Sequence, residues 1–341
     1  MLAHDHFIRR IIGDHFRFAI NFFRTANVYR RKFSATGRKR HTPSLVVFMV
    51  DGFMIHGGLG DRLKGIVSTY ALCKVKSLPF RICFDSPFVL QDYLAPNRYD
   101  WIPGADEGIV FSRKCARIVN VHNDPQAKAL LGLRPSRSRQ YHVYGNMDLL
   151  ERIHGRWGIR FDWSDLFDEL FKPSEALAEA IAANRQRIGG AYVSMHFRFQ
   201  QLLGDFTDPD CAILPAAERE RLVETCAACV EETQRQTGCR LLVISDSRRF
   251  LERMEGLANV HTLPGIVVHM DYVQTEENAS VAHLKTFLDF FMLRCSEKVY
   301  TVAATGMHLS GFPLYAARSA GIPYEIIRLG SDGRAANGDE A

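Results

Sequence analysis

From Leu45 onward the chain alternates short apolar runs with amphipathic stretches, twice over, and this alternation leaves few architectures open. Leu45–Val50 reads as a strand, Arg62–Val75 as a helix, and Phe80–Phe84 as a second strand ending at Asp85. A less regular region follows, punctuated by Pro87, Pro96, Pro103, Pro125 and Pro135, with apolar runs at Gly108–Ser112 and Ala116–Val121 and a strand over Gln140–Tyr144. Met147–Leu170 is aromatic-rich and reads as a bridge between domains. Ser174–Ile188 is helical, with Ser174 as its N-cap and Gly189-Gly190 as its stop. A second series then begins with a strand at Ala191–Phe197, a helix at Pro215–Thr237 and a strand at Leu241–Ile244. It continues with a helix at Arg248–Met254, a strand at Val260–Leu263 and a helix at His283–Cys295. A strand at Lys298–Val302, a helix at Gly306–Ala320 and a strand at Tyr324–Leu329 close it. Strands alternating with helices form parallel sheets covered on both faces. The pattern predicts an α/β protein with an arm at 1–44, α/β domains at 45–185 and 186–330, and a flexible tail at 331–341.

The 341 residues suffice for two such domains, and 47% apolar with 24% charged residues is the make-up of a globular protein. A formal net charge of +5 is too weak to imply nucleic acid, but it suits an anionic ligand. The eight cysteines are scattered, which points to reduced, buried thiols and a cytoplasmic protein. Cys226-Ala-Ala-Cys229 has redox or zinc spacing, but it lies inside a helical run with no second pair, so a packing role is expected. No apolar run of about 18 residues marks a membrane span, and no secretory leader pattern is visible. In the arm, Ile8, Ile11, Ile12, Phe16, Ala19, Phe22 and Phe23 recur at helical spacing among arginines. Such a helix can lie on an anionic membrane as a peripheral contact through residues 1–41, or it can pack on the protein's own body; packing is favoured.

In parallel sheets ligands gather at the carboxyl ends of strands. The loops there are Asp51–Asp61, His196–Asp210, Ser245–Arg248 and Ala303–Ser310. The first contains Gly57-Gly58-Leu59-Gly60-Asp61-Arg62-Leu63-Lys64-Gly65 at a strand-to-helix turn, which is either an anion cradle or a tight turn that packs a helix on a sheet. Gly58, Gly60 and Asp85 also allow a dinucleotide fold, although Leu63 occupies the third glycine position. His196 and Arg198 alternate onto one side of a strand end, where an imidazole and a guanidinium suit a base edge and a diphosphate. Thr305-Gly306 follows a strand and opens a predicted helix, a second anion cradle. Asp289 sits among Phe287, Phe290 and Phe291 and needs a partner: a guanine edge, or an arginine such as Arg198 or Arg294. Asp208-Pro209-Asp210 has the spelling of a metal-binding DxD, but its central proline marks a turn.

Taken together, Gly-Gly-Leu-Gly-Asp-Arg-Leu-Lys-Gly, His196-Phe197-Arg198, Ile244-Ser245-Asp246-Ser247 and Leu288-Asp289-Phe290-Phe291 followed by Thr301 and Thr305-Gly306 resemble the ordered motifs of the fucosyltransferase superfamily. The resemblance runs from about residue 46 to 328. It implies a GT-B fold, two Rossmann-like domains facing a cleft, with GDP-fucose as donor substrate, a glycan as acceptor and no metal or other cofactor. His196 and Asp289 match the family's guanine contacts, Arg198 its diphosphate-binding arginine, and Thr305 with Gly306 its diphosphate-touching segment. Gly58, Gly60, Asp61 and Arg62 match the glycine loop, and Asp246 the acidic end of the middle motif. Phe199 stands where many members carry a second arginine, and Asp61 where many carry asparagine. The expected activity is inverting fucosyl transfer, with Arg198 supporting the leaving group and Asp61 or Asp205 as general base. The alternatives are a Rossmann-type NAD(P)-dependent reductase and a non-catalytic nucleotide- or sugar-binding module.

Overall fold

Buried parallel strands need apolar side chains on both faces, so they appear in sequence as unbroken apolar runs, and β1 (Leu45–Val50), buried at every position, is such a strand. The structure, a computed structural model, describes residues 22–35, 44–54, 56–104, 108–134, 136, 139–206, 212–265 and 276–330. The arm before residue 22, Asp208–Asp210, Cys211 and the tail at 331–341 lie outside the described residues. The other strands are β2 (Phe80–Phe84), β3 (Leu94–Pro96), β4 (Ala116–Val121), β5 (Gln140–Gly145) and β6 (Phe171–Pro173). They continue with β7 (Tyr192–Phe197), β8 (Arg240–Ser245), β9 (Val260–His261), β10 (Val299–Ala304) and β11 (Tyr324–Leu329). The helices are α1 (22–32), α2 (Leu59–Lys76), α3 (Asp124–Leu131), α4 (Leu150–Trp157) and α5 (Trp163–Leu170). They end with α6 (Glu175–Ile188), α7 (Ala216–Thr237), α8 (Arg248–Met254), α9 (Glu276–Arg294) and α10 (Phe312–Ala320).

The chain forms two compact units. The first takes the chain up to Gly57, then Asp61–Val89 and Arg98–Phe161; the second takes Gly58–Gly60, Leu90–Asn97 and everything from Asp162. The changeover thus falls between α4 and α5, inside the aromatic stretch expected to bridge domains, and not at residue 185. Helix α6, placed by sequence in the first domain, packs on α9 in the second unit.

The first unit holds a parallel sheet in the order β2-β1-β5-β4, with Val46 opposite both Phe80 and Tyr141. Helix α2 lies against this sheet through Gly65, where an added Cβ would stand 2.6 Å from the Phe48 ring and against the Gly145 carbonyl. Gly57, at φ +73°, makes the turn into the helix, a conformation that favours glycine. The described end of the arm belongs to this unit. Val28 and Phe33 are buried with Leu45, Val47, Met49, Ala116 and Ile118, and the Tyr29 hydroxyl accepts the Ile118 N–H at 2.9 Å. Phe22 and Phe23, the two residues of the expected apolar stripe that are described, are exposed, so the packing is made by Val28 and Phe33 further along.

The second unit holds a parallel sheet in the order β11-β10-β7-β8-β9. Its first strand, β7, is central; the chain winds out to β9, then returns to the other side of β7 as β10 and β11. The direction reverses between β7 and β10, which makes their carboxyl ends the topological switch point. The core of this unit joins Met195, Phe197, Phe199, Val230, Leu241, Val243 and Phe250. Antiparallel β3 and β6 form a separate ribbon.

Two helix starts differ from expectation in ways that bear on the site. Helix α2 begins at Leu59, so Gly60 and Asp61 lie in its first turn rather than in a loop. Helix α10 begins at Phe312, not at Gly306, because Pro313 supplies a first-turn residue whose missing N–H costs nothing there. Among the described residues no helix is long and apolar enough to cross a membrane.

Candidate functional site

Strand β7 delivers His196 and Arg198 to the switch point of the second unit. In register, His196 lies between Thr301 of β10 and Ile244 of β8. It is buried, and its Nδ1 has no hydrogen-bond partner. Burial, then the charges of Arg198 and Lys285, push its pKa down to about 3, so the ring is neutral at physiological pH. Its ring lies 5.9 Å from that of Phe312 at the start of α10.

Arg198 is held from the next strand. Its Nη1 lies 3.0 Å from Asp246 Oδ2, and its guanidinium stacks 4.6 Å above the Phe206 ring. Asp246 also accepts the N–H groups of Phe199 and Gln200, each at 2.8 Å. Gln200 takes a positive φ of 54°, which turns its N–H toward that carboxylate. Burial raises the Asp246 carboxyl above its ordinary value, and Arg198 and the two N–H donors oppose that. The carboxylate therefore fixes the loop after β7 and the direction of Arg198, whose side chain is 20% exposed. Phe199 is buried between Phe197 and Phe250, so the position that carries a second arginine in many fucosyltransferases is here part of the core.

Asp289 is buried on α9, and its Oδ1 pairs with the Lys285 ammonium one helical turn earlier. Neither arginine weighed from sequence takes this place. Arg198 pairs with Asp246, and Arg294 pairs with Asp168 and donates to the Ser319 carbonyl. A lysine four residues before an aspartate on an apolar helix was the available clue to Lys285. Thr305 and Gly306 are exposed in a turn closed by the Met307 N–H on the Ala304 carbonyl at 3.0 Å. They do not open a helix, so the expected helix-end cradle is absent and any anion contact there falls to the Thr305 hydroxyl and turn backbone. Gly58 has open space at its Cβ position, whereas a Cβ on Gly60 would meet the Phe312 backbone at 3.4 Å. Asp205 accepts the Ser247 hydroxyl and the Arg249 N–H, each at 2.8 Å, and so caps α8.

The remaining expected residues lie in the first unit. Arg62 is buried, donating to the Gly57 carbonyl at 2.8 Å and the Ser86 carbonyl at 3.0 Å, with its guanidinium over Phe84. Asp61 pairs with Lys64 at 2.5 Å in the first turn of α2. At the carboxyl end of β1, Asp51 accepts Lys32 Nζ at 2.7 Å, the Tyr144 hydroxyl at 2.8 Å and the Phe53 N–H at 3.2 Å. Cys226 and Cys229 are buried in α7 as free thiols, and burial raises both. Among the described residues no group of three or more His, Cys, Asp or Glu side chains is placed to hold a metal ion.

Two parallel α/β units, the second wound about a central strand with its switch point at His196 and Arg198, define the fold class as GT-B, the fucosyltransferase-like form. Solved structures agree. The chain matches the NodZ alpha-1,6-fucosyltransferase soaked with GDP-fucose with a TM-score of 0.53 and 13% identity, over 85% of this chain and 96% of that one. Fucosyltransferase NodZ from Bradyrhizobium matches with a TM-score of 0.51 and 14% identity, over 80% and 92% of the two chains. No protein-family model matches the chain, and no curated protein matches it by sequence. At this level of identity, what is shared is the fold.

Proposed function

We propose that the chain is a glycosyltransferase that takes a GDP-sugar, GDP-fucose first among them, and passes the sugar with inversion to a glycan hydroxyl. The observation that carries this reading is the Arg198–Asp246 pair at the switch point: a guanidinium aimed by a buried carboxylate yet still partly open. In the reaction the bond from the anomeric carbon to the diphosphate oxygen breaks, and a bond from the acceptor oxygen to the opposite face of that carbon forms. The electron pair of the broken bond leaves on GDP. Arg198, always charged and forked, meets that developing charge, and the Thr305 hydroxyl offers a further donor. Charge stabilisation of this kind is the part a bound cation plays elsewhere, so the proposed reaction proceeds without one. The acceptor proton passes to a carboxylate. The candidates are Asp61, 39% exposed and paired with Lys64, and Asp205, whose oxygen caps a helix. The GDP-fucose soaked into the NodZ structure suggests the donor.

A panel of nucleotide sugars assayed for hydrolysis and for transfer to glycan acceptors tests the proposal. Consumption of GDP-fucose, with GDP raising the melting temperature, is the expected result. Thermal protection by NADPH and not by GDP defeats it. GDP binding without turnover of any nucleotide sugar favours a silent binding module.

A further inference from the structure

Helix α1 (22–32) has two unlike sides. Thr25, Val28, Tyr29 and Lys32 share one side by their i, i+3, i+4 and i+7 spacing, and they fasten the helix to the first unit. Val28 is buried, and the Tyr29 hydroxyl accepts the Ile118 N–H at 2.9 Å. Asn120 Nδ2 donates to the Thr25 hydroxyl at 2.6 Å, and Lys32 Nζ meets Asp51 at 2.7 Å. The other side carries Phe22, Phe23, Ala26 and Arg30, all exposed, with Arg31 exposed beside them. Phe22 is 62% and Phe23 71% exposed, their rings edge to face at 5.9 Å. Exposed apolar residues standing singly need no explanation, but adjacent rings rimmed by arginines form the kind of patch that marks an interaction surface. In sequence the patch continues the apolar spacing of the arm, since Ile12, Phe16 and Ala19 stand 11, 7 and 4 residues before Phe23.

Charge is concentrated in the same segment. Residues 1–41 hold ten Lys and Arg against two Asp, a formal +8, whereas the whole chain is +5, so the other 300 residues together are −3. That asymmetry selects the occupant of the exposed face. A second copy of the chain would bring a second +8 segment against the first, and like charges oppose the contact. A nucleic acid would meet the cations and leave the two rings in water. An anionic bilayer meets both, its headgroups taking the arginines and its interface the rings. We propose that α1 docks the first unit on an anionic membrane surface, with Phe22 and Phe23 entering the interface, Arg30 and Arg31 at the headgroups, and the positive charge of residues 1–41 drawing the chain there. Because Lys32 ties α1 to Asp51, docking holds the carboxyl end of β1 at a set distance from the lipid. The docking is independent of the donor nucleotide, so it can hold or fail without touching the GDP-sugar proposal.

Sedimentation of the full chain with vesicles of phosphatidylcholine alone, and of phosphatidylcholine carrying about 30% phosphatidylserine, tests the proposal. Affinity for the anionic vesicles is expected to exceed that for the neutral ones by about tenfold or more, and to fall by a similar factor as salt rises from about 0.05 to about 0.5 M. Replacing both rings, Phe22→Ser with Phe23→Ser, is expected to weaken binding by about tenfold or more and to leave the melting temperature unchanged, because both side chains are exposed. Arg30→Glu with Arg31→Glu is expected to weaken it by about tenfold or more. Arg160→Glu with Arg221→Glu makes the same change in net charge at exposed positions away from α1, and is expected to stay within about twofold of the unaltered chain. Equal weakening by the two arginine pairs overturns the placement on α1. Undiminished binding by the ring variant overturns it as well, since charge alone would then carry the contact. Equal sedimentation with both vesicle types, or with neither, overturns the proposal. Self-association that the ring variant abolishes, without vesicle binding, gives the face to a second copy and overturns the proposal. Tighter binding to polyuridylate than to the anionic vesicles overturns it in favour of nucleic acid.

Discussion

Asp51 follows β1 in the first unit, Asp246 follows β8 in the second, and the two carboxylates are satisfied in different ways. Both are buried, and each accepts a cation and two further donors. Asp51 gathers Lys32 from α1, the Tyr144 hydroxyl from β5 and the Phe53 N–H from its own loop, so it joins three separate segments of the chain. Asp246 gathers only the loop after β7: Arg198 and the N–H groups of Phe199 and Gln200. The first arrangement ties a fold together. The second orients one side chain, Arg198. The same chemistry therefore ties separate segments together in one unit and orders a single loop in the other.

Separating these roles by mutation is the direct way to break the comparison. Asp51→Ala leaves Lys32 and Tyr144 without their shared acceptor and is expected to lower unfolding free energy by about 3–5 kcal/mol, read from urea midpoints. Arg198→Ala is expected to lower sugar transfer by about a hundredfold or more, the scale for losing one donor to developing charge. Its cost in stability is expected to be at most about 1–2 kcal/mol, because Asp246 keeps two N–H donors. Equal stability losses in the two variants would erase the distinction drawn here.

Acid sharpens the contrast between units. Burial, with smaller opposing and reinforcing charges, lowers the pKa of His56 and of His142 in the first unit to about 4, and burial with Arg198 and Lys285 lowers that of His196 in the second to about 3. These folded values lie below the unfolded one of about 6.5, so the unfolded chain binds more protons between them. Stability from each neutral ring is complete above about pH 6.5 and is lost as pH falls toward the folded value, with a limiting slope of about 1.4 kcal/mol per pH unit for each ring. The first unit also holds His122 and the second His261, each lowered mainly by burial, which leaves three such rings against two. Hydrogen exchange at pH 7 and pH 5 is expected to show greater loss of protection in β1 and β5 than in β7 and β8. A uniform loss would contradict it.

The smallest effect concerns two glycines of one motif. Gly60→Ala would place its Cβ 3.4 Å from the Phe312 backbone, an ordinary contact, and should change the unfolding free energy by under about 1 kcal/mol. Gly65→Ala would drive its Cβ to 2.6 Å from the Phe48 ring and into the Gly145 carbonyl, with an expected loss of about 1–3 kcal/mol. The glycine series thus divides into a turn at Gly57, an ordinary contact at Gly60 and a tight packing contact at Gly65.

Much of this was readable in the sequence because it is local. The six-residue strands β1 and β7 are buried throughout, and helix α6 is announced by the Ser174 cap and the Gly189 stop, observed with Gly189 at φ +76°. The start of α2 is expected too late because Gly60 reads as loop, and that of α10 too early because Pro313 reads as an interior residue where it occupies the first turn. The partners of Asp289 and Arg62 were missed for a different reason. A buried charge declares that it needs a partner, but only the packed structure says whether that is an arginine across the fold, a lysine one turn away or a backbone carbonyl. The division into units was least legible, since it depends on Leu90–Asn97 pairing with residues far along the chain.

That pairing has a consequence for how such a chain can be rearranged. Strand β3 is encoded amid the first unit, yet its ladder partner β6 lies beyond the changeover at Asp162, with Leu94 opposite Pro173 and Pro96 opposite Phe171. The second unit is therefore not one uninterrupted stretch of gene. A single recombination joint at residues 161 and 162 would leave every chimera with β3 from one parent and β6 from the other. Swapping second units among chains of this kind demands that these two short strands travel, or coevolve, as a pair.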